Sequence, residues 1–242
     1  MNRQVEGHTV QRFDAELSGL YLKVLEMGGL AMSQLEDALD ALRNKDLPKA
    51  RAVIGRDSEV DSLEVRADDA IVDVIARRGP VARDLRTIMG FSKAVTDLER
   101  VGDEAARIAG VALHIYDSGS SDPSVHLLRD VYTMGKLALG MLRAALEVFD
   151  RMDAEGAERV AEGQTEMDAE FRSSVRRLAT YVMEDSRNVG HAVSVVLIIK
   201  ALERVGDHAR NIAEYVIYLV KGTDVRHRPS VAPETRAEGG GV

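Results

Sequence analysis

The 242-residue sequence contains no cysteine and no tryptophan, and only 4% of its residues are aromatic. Without cysteine, the chain has no disulfide, no thiolate metal site and no cysteine nucleophile. Proline is also scarce, with five residues, whereas the helix-forming residues Ala, Leu, Glu, Arg and Met are abundant. This composition predicts an all-α protein.

The sequence also lacks a long apolar run and a cluster of basic residues. Its longest apolar stretch, 193–199, contains Ser194 and ends at Lys200, which is far short of a membrane span. The first eight residues have no apolar signal-peptide core. With 40 acidic and 32 basic side chains the net charge is −8, which disfavours nucleic-acid binding. We therefore expect a soluble, cytoplasmic protein.

The few prolines mark helix starts, because proline is tolerated in the first turn of a helix but breaks its interior. Asp46 precedes Pro48 as a candidate N-cap, and Gly79 precedes Pro80 as a candidate helix end. In the third predicted helix, apolar residues recur every three or four positions from Val81 to Ile115. The predicted helices span 10–44, 47–78, 80–117, 124–150, 153–184 and 188–221.

One sequence motif, Leu-Glu-Arg-Val-Gly-Asp, occurs twice in the chain, at 98–103 and again at 202–207, 104 residues further on. Matches between the second and fifth predicted helices, such as Asp46 with Asp153, have an offset of 107 residues. The repeat predicts two tandem, pseudo-symmetric three-helix bundles, at 1–118 and 119–222. A short connector would join them at 118–123, and residues 223–242 would form a disordered tail.

Each copy of the motif contains a Glu and an Asp four residues apart, so that the two side chains project side by side from a helix. The second helix adds two acids with the same spacing, and the corresponding positions of the fifth helix are Gln164 and Asp168. The first half can thus gather four carboxylates around one place: Asp57, Asp61, Glu99 and Asp103. The repeated Gly102 and Gly206 next to the Asp serve either close helix packing or room for a metal, a water or a partner.

Two interpretations of these acids remain open. They are solvated surface carboxylates, with Arg107 placed four residues after Asp103 to pair with it. Alternatively, they bind a hard divalent or trivalent cation, since in the second half Asn211 and His208 adjoin Asp207 and add an amide oxygen and an imidazole. The repetition within one chain favours the cation.

The chain resembles the PhoU family along essentially its whole length. The resemblance rests on the repeated motif, on Glu-Met-Gly at 26–28 and on Asp-Leu-Arg at 84–86. It rests also on Tyr-Leu-Val-Lys-Gly at 218–222, which is followed by Asp-Val-Arg-His at 224–227. It implies two pseudo-symmetric three-helix bundles that bind metal clusters through acidic motifs on the bundle surface, with Fe, Zn, Mn or Mg as the metal. Carried over to this sequence, the implied metal ligands are Asp57, Asp61, Glu99, Asp103, Asp168, Glu203, Asp207 and Asn211.

The chain departs from the family pattern in both halves. Glu104 and Arg107 stand where the second copy has His208 and Asn211, and Gln164 stands where the first half has an acid. Each departure puts in doubt how well the neighbouring site holds metal.

The resemblance also implies a regulatory role without catalysis. Family members restrain phosphate uptake and phosphate-starvation signalling through the ATPase subunit of the phosphate ABC transporter and the phosphate sensor histidine kinase. Such a protein would meet the membrane only through these partners, and we expect a homodimer. The sequence agrees in having neither a Gly-rich phosphate loop nor a GxSxG nucleophile motif, so no catalytic or organic-cofactor residue is predicted.

Two other classes of protein are alternatives. A ferritin-like di-metal enzyme would carry inward-facing Glu-x-x-His pairs, which this sequence does not contain. A helical adaptor or metal-storage protein unrelated to phosphate is the stronger alternative.

Overall fold

The computed structural model describes residues 3–117 and 123–225, and helices account for nearly all of them. The helices are α1 (Arg3–Asn44), α2 (Leu47–Arg78), α3 (Ala82–Asp117), α4 (Val125–Arg151), α5 (Ala154–Glu162), α6 (Gln164–Glu184) and α7 (Val189–Lys221), with a short 3₁₀ turn at Ser186–Asn188. No strand occurs in these ranges, which confirms the predicted all-α class. None of the helices in the described ranges has the length and apolar character that a bilayer crossing requires.

The helices form two three-helix units, as predicted. Helices α1, α2 and α3 pack together in the first half, and α4, the α5–α6 pair and α7 pack together in the second. Helices α3 and α7 also pack against each other, and α1 contacts α4. The buried apolar residues of both halves consequently form one continuous core. The two copies of the repeated motif lie on α3 and α7, the helices through which the two units pack against each other.

The predicted helix ends at Asp46, Gly79 and Asp153 are confirmed. The Asp46 side chain accepts a hydrogen bond from the Lys49 backbone N–H at 2.9 Å, and Asp153 caps α5 through the N–H groups of Glu155 and Gly156. Gly79 ends α2 with φ 56°, a left-handed conformation that favours glycine.

Two details of the prediction were wrong. The predicted helix 153–184 is interrupted at Gly163, whose N–H donates to the Val160 carbonyl three residues back at 3.1 Å as well as to the regular α-helical acceptor, the Arg159 carbonyl, at 3.3 Å. The apolar stripe of α3 starts at Ile88, because Val81 is 73% exposed and Leu85 lies at the surface.

The predicted connector and tail lie mostly outside the described residues, which omit 118–122 and 226–242. The domain boundaries and the disorder of the tail therefore stay predictions. Val225, near the start of the predicted tail, still packs against the apolar core.

Candidate functional site

The first acidic cluster lies between α2 and α3 and contains the four predicted residues Asp57, Asp61, Glu99 and Asp103. Burial raises the pKa of Asp57, and the negative charges of Asp103 and Asp61 raise it further. Burial and the charge of Asp103 likewise raise the pKa of Glu99 to about 6, against the opposing charge of Arg100. The structure thus brings the acids of both helices close enough to repel one another.

Glu64 also belongs to this cluster, although it was not predicted. Burial raises its pKa, and the nearby charges of Asp68, Asp61 and Asp103 add to the effect. Glu64 follows Asp57 by seven residues and Asp61 by three, so all three share one face of α2. Helical periodicity extended beyond the first acid pair is the signal that finds it.

Arg100 pairs with the acids of the first cluster, which differs from the predicted pairing through Arg107. Its Nη1 lies 3.0 Å from Asp103 Oδ2, and its Nε lies 3.2 Å from Glu99 Oε2. Arg107 pairs instead with Glu104, at 3.1 Å. One exposed guanidinium therefore offsets part of the negative charge of the first cluster.

A buried glutamine from α1 borders the first cluster. Gln34 is completely buried, and neither its Oε1 nor its Nε2 has a hydrogen-bond partner among the described residues. A methyl group added at Gly102 would lie 3.2 Å from Gln34 Oε1 and 3.5 Å from Asp57 Oδ1. Gly102 thus lets α1 and α2 approach α3 closely and leaves an unsatisfied amide beside the acids. A buried amide without partners is costly, and either a bound water or a bound ion would satisfy it.

The second acidic cluster comprises Asp168 on α6 with Glu203 and Asp207 on α7. Gln164 joins these helices, because its Nε2 donates to Asp168 Oδ1 at 2.8 Å and to Asp207 Oδ1 at 2.9 Å. Burial raises the pKa of Asp207, and the charge of Glu203 adds to this effect. Lys200 forms an ion pair with Glu203. Three of the four predicted residues are thus brought together in the second half.

Asn211, the fourth predicted ligand of the second half, lies at a different place. Its Nδ2 donates to Asp97 on α3 at 3.1 Å, and His208 Nδ1 lies 2.7 Å from the same carboxylate oxygen. Tyr215 donates to the other oxygen of Asp97 at 2.7 Å. Asn211 and His208 therefore bond across the joint between the bundles, and the role of Asn211 as a metal ligand stays a prediction.

The contact between α3 and α7 also accounts for differences between the two copies of the motif. Glu104, which stands at the position of His208, is buried and lies 2.9 Å from Arg204 Nη1 on α7. Because α3 packs against α7, residues that differ between the copies find partners across the joint: His208 and Asn211 bond to Asp97, and Glu104 pairs with Arg204, which has an arginine counterpart in the first copy. These departures serve the contact between the halves.

The chemistry of the acidic clusters fits a hard cation, since carboxylate and amide oxygens are the ligands that Mg²⁺ and Mn²⁺ prefer. The clusters are not preorganised in the way a closed site is. Within the described part of the chain, no three His, Cys, Asp or Glu side chains are placed so that they could hold one ion together. A bound ion would require side-chain movement or the participation of an amide or water.

These features define a class of protein: an all-α chain of two tandem three-helix units with an acid pair on the last helix of each. The family model of the PhoU domain matches twice, at residues 24–112 and 131–216, so that each half carries one match. The chain belongs to the PhoU family.

Individual relatives are similar over most of the chain. A phosphate-specific transport system accessory protein PhoU homolog from Pseudomonas aeruginosa is 42% identical over 91% of this chain and 90% of its own length. The phosphate-specific transport system accessory protein PhoU of Escherichia coli K12 is 38% identical over 94% of this chain and 91% of its own length.

Two solved structures share the fold. The crystal structure of PhoU from Pseudomonas aeruginosa has a TM-score of 0.83 and 41% identity, covering 87% of this chain and all of that one. The phosphate transport system regulatory protein PhoU from Streptococcus pneumoniae has a TM-score of 0.79 and 28% identity, covering 88% of this chain and 99% of that one.

Proposed function

We propose that this protein is a regulator that restrains phosphate uptake and phosphate-starvation signalling when phosphate is plentiful. The observation that carries the proposal is the PhoU family match in both halves, together with relatives described as phosphate-specific transport accessory proteins that align over nine-tenths of the chain. The protein acts without catalysis, by contacts with the ATPase subunit of the phosphate ABC transporter and with the phosphate sensor histidine kinase.

The proposed mode of action is the presentation of protein surfaces. Long helices with charged outer faces suit contacts with partner proteins, and a protein acting on a transporter ATPase and a sensor kinase would work in the cytoplasm and reach the membrane only through them. We also propose a homodimer. It is supported by three exposed apolar residues that follow one another every four residues along α7: Val189, Val193 and Leu197.

We expect the tagged chain to co-purify with the transporter ATPase and the sensor kinase from cells grown in phosphate-rich medium. The control is an equally expressed tagged helical protein of unrelated sequence, carried through the same crosslinking and mass spectrometry. Enrichment of neither partner over this control would contradict the proposed contacts and favour an adaptor unrelated to phosphate.

A second proposed property is cation binding by the acidic clusters. It is supported by the raised pKa values of Asp57, Glu64 and Glu99, which reflect burial first and the charges of neighbouring acids second, and by the unsatisfied amide of Gln34. A bound cation would relieve the repulsion between these acids. Carboxylate and amide oxygens would hold the ion, whose charge would neutralise the acids and fix α2 against α3. All-oxygen ligands favour Mg²⁺ or Mn²⁺ over Zn²⁺, among the candidates Fe, Zn, Mn and Mg.

We expect purified protein to bind metal after chelation and buffer exchange, and to gain thermal stability when the metal is restored. Elemental analysis and thermal unfolding with Mg²⁺, Mn²⁺, Fe²⁺ or Zn²⁺ measure both effects. An Asp84→Asn variant, changed at an exposed acid outside both clusters, should behave as wild type. If wild type holds no metal above the buffer level and none of the four ions shifts its unfolding, the clusters are solvated surface acids.

A further inference from the structure

A groove of about 520 Å³ lies between α4 and α5 in the second half. Its lining on α4 extends from Lys136 to Arg151, which corresponds to about 22 Å, or about four turns, along the helix. Its apolar side chains are all partly or fully buried and come from both helices: Leu137, Met141, Ala144, Val148 and Val160. The groove therefore has an apolar floor about as long as a short helix.

Glycine contributes to the openness of this groove. Gly140 lines it from the interior of α4, where glycine is less favourable for a helix than alanine. The residue is exposed, and a methyl group added to it would meet no atom of another residue within 4 Å. Packing within the chain thus does not require a glycine at this position, and a larger side chain there would extend into the free space of the groove.

The equivalent place in the first half is bridged by ion pairs. At the 107-residue offset, α1 corresponds to α4, and α2 corresponds to α5 and α6. Three small residues of the groove then correspond to charged residues of the first half: Ala144 to Asp37, Gly156 to Lys49 and Gly163 to Arg56. The Lys49 and Arg56 side chains both reach from α2 to Asp37 on α1. The second half has no long side chains at these positions to bridge its two helices.

The charged residues that line the groove are mainly basic. Lys136, Arg151 and Arg159 are all exposed, and neither Lys136 nor Arg151 has an ion-pair partner among the described residues. The two acids of the lining are Glu147, which is exposed, and Asp153, which caps α5 and lies 4.0 Å from Arg159. An apolar floor with a positive rim complements an apolar surface that carries negative charge on its flanks.

A helix fits this groove better than a small polar molecule. Small-molecule sites place a few polar groups at fixed positions around the ligand, whereas the floor of the groove offers only apolar side chains. A helix satisfies its own backbone hydrogen bonds and can bury an apolar face without further polar partners. The ridges of one helix also pack into the grooves of others.

We infer that the groove between α4 and α5 is a docking site for an acidic amphipathic helix of a partner protein. The apolar face of that helix packs on the floor, and its carboxylates pair with Lys136, Arg151 and Arg159. The inference rests on the proposed function, in which the protein acts by contacts with other proteins, and it specifies the surface and the chemistry of one such contact. It assigns this contact to the second half alone.

Filling the groove tests the docking site directly. The probe is a synthetic helical peptide of about 16 residues with leucine on one face and glutamate on both flanks, and its binding is followed by fluorescence anisotropy. We expect wild type to bind it and Gly140→Leu to lose at least about tenfold in affinity. Leucine is the better helix former, so the unfolding midpoint of Gly140→Leu should be unchanged or higher.

Gly55→Leu is the matched control for the filled groove. Gly55 is also an exposed glycine within a helix, and a methyl group added to it would likewise meet no atom of another residue within 4 Å. It lies on α2, outside the groove, so we expect Gly55→Leu to bind the peptide within about twofold of wild type. Equal binding by wild type, Gly140→Leu and Gly55→Leu, or no binding by wild type, would overturn the inference.

Charge reversal tests the role of the basic rim. We expect the double variant Lys136→Glu, Arg151→Glu to lose at least about tenfold in affinity for the glutamate peptide and to bind a lysine-flanked version of the peptide more tightly than wild type does. The control is Arg172→Glu, Arg176→Glu, which reverses two exposed charges on α6 outside the groove and should keep the preference of wild type. A variant that is merely damaged would not gain affinity for the lysine peptide. If the reversed rim keeps the preference of wild type for glutamate, the charge complementarity is wrong.

Failure of the docking site and failure of the proposed function are distinguishable. If the transporter ATPase and the sensor kinase co-purify equally with wild type and Gly140→Leu, and the peptide does not distinguish these two proteins, the docking site is overturned and the proposed function stands. If neither partner co-purifies with wild type while peptide binding is lost in Gly140→Leu, the proposed contacts fail and the docking site stands. Binding of decanoate, a small apolar anion, in the groove without binding of the peptide would overturn the helical occupant.

Discussion

Replacing Asp97 with alanine is expected to lower the free energy of unfolding by about 3–5 kcal/mol. Asp97 is 7% exposed and accepts hydrogen bonds from Asn211 and Tyr215 on α7, with His208 Nδ1 at 2.7 Å. Because a carboxylate only accepts hydrogen bonds, all three groups act as donors toward it. Alanine would leave these donors in the joint between the two halves without their acceptor.

Chemical denaturation at one pH measures this change, with the midpoint and the slope compared between variants. Thr96→Ala, at an exposed position of the same helical turn, is the matched control and should change stability by less than about 0.5 kcal/mol. A loss below about 1 kcal/mol for Asp97→Ala would show that the carboxylate does not hold α3 against α7.

Replacing Phe149 with alanine is expected to cost a similar amount, about 3–5 kcal/mol, through loss of packing. Phe149 on α4 is completely buried, and its ring centroid lies 6.1 Å from that of Tyr21 on α1 and 5.8 Å from that of Phe91 on α3. This aromatic group joins the second half to two helices of the first. Its removal leaves a cavity at the centre of the continuous core.

The smaller truncation Phe149→Leu keeps most of the apolar volume while removing the aromatic ring, and should lose less than about 2 kcal/mol. Thermal or denaturant unfolding of the two variants beside wild type provides the comparison. Equal losses for leucine and alanine would contradict an effect set by cavity volume.

Local sequence signals predicted most of the fold. Helices begin or end at Asp46, Gly79 and Asp153 through hydrogen bonds to residues two to four positions away. A short stretch of sequence is therefore enough to predict these helix ends. Gly163 interrupts a helix in which apolar and charged residues keep a regular spacing, and glycine alone is a weak signal of a break. Helix boundaries were therefore predictable where a cap exists and missed where the interruption has none.

The part of the candidate site that follows from helical spacing was predicted from the sequence. Asp57, Asp61, Glu99 and Asp103 lie together because each pair follows helical spacing and the two helices are neighbours in one bundle. The bond of Asn211 to Asp97 was not predicted, because Asp97 lies 114 residues away in the other half and this contact depends on how the bundles pack.

The position of Gln34 beside the acids could not be predicted from the sequence for a related reason. Gln34 lies on α1, outside the repeated motif, and only the close approach of α1 to Gly102 brings it beside the acids. Contacts within one helix can be deduced from spacing, whereas contacts between helices require the packed structure.

The most direct test of the proposed regulatory function is phosphate uptake in cells from which the gene has been deleted, grown in phosphate-rich medium. We predict that uptake and phosphate-starvation gene expression rise in the deletion strain and that a plasmid copy of the wild-type chain restores repression. Normal uptake and normal repression in the deletion strain, in a genome without a second copy of the gene, would contradict the proposed function.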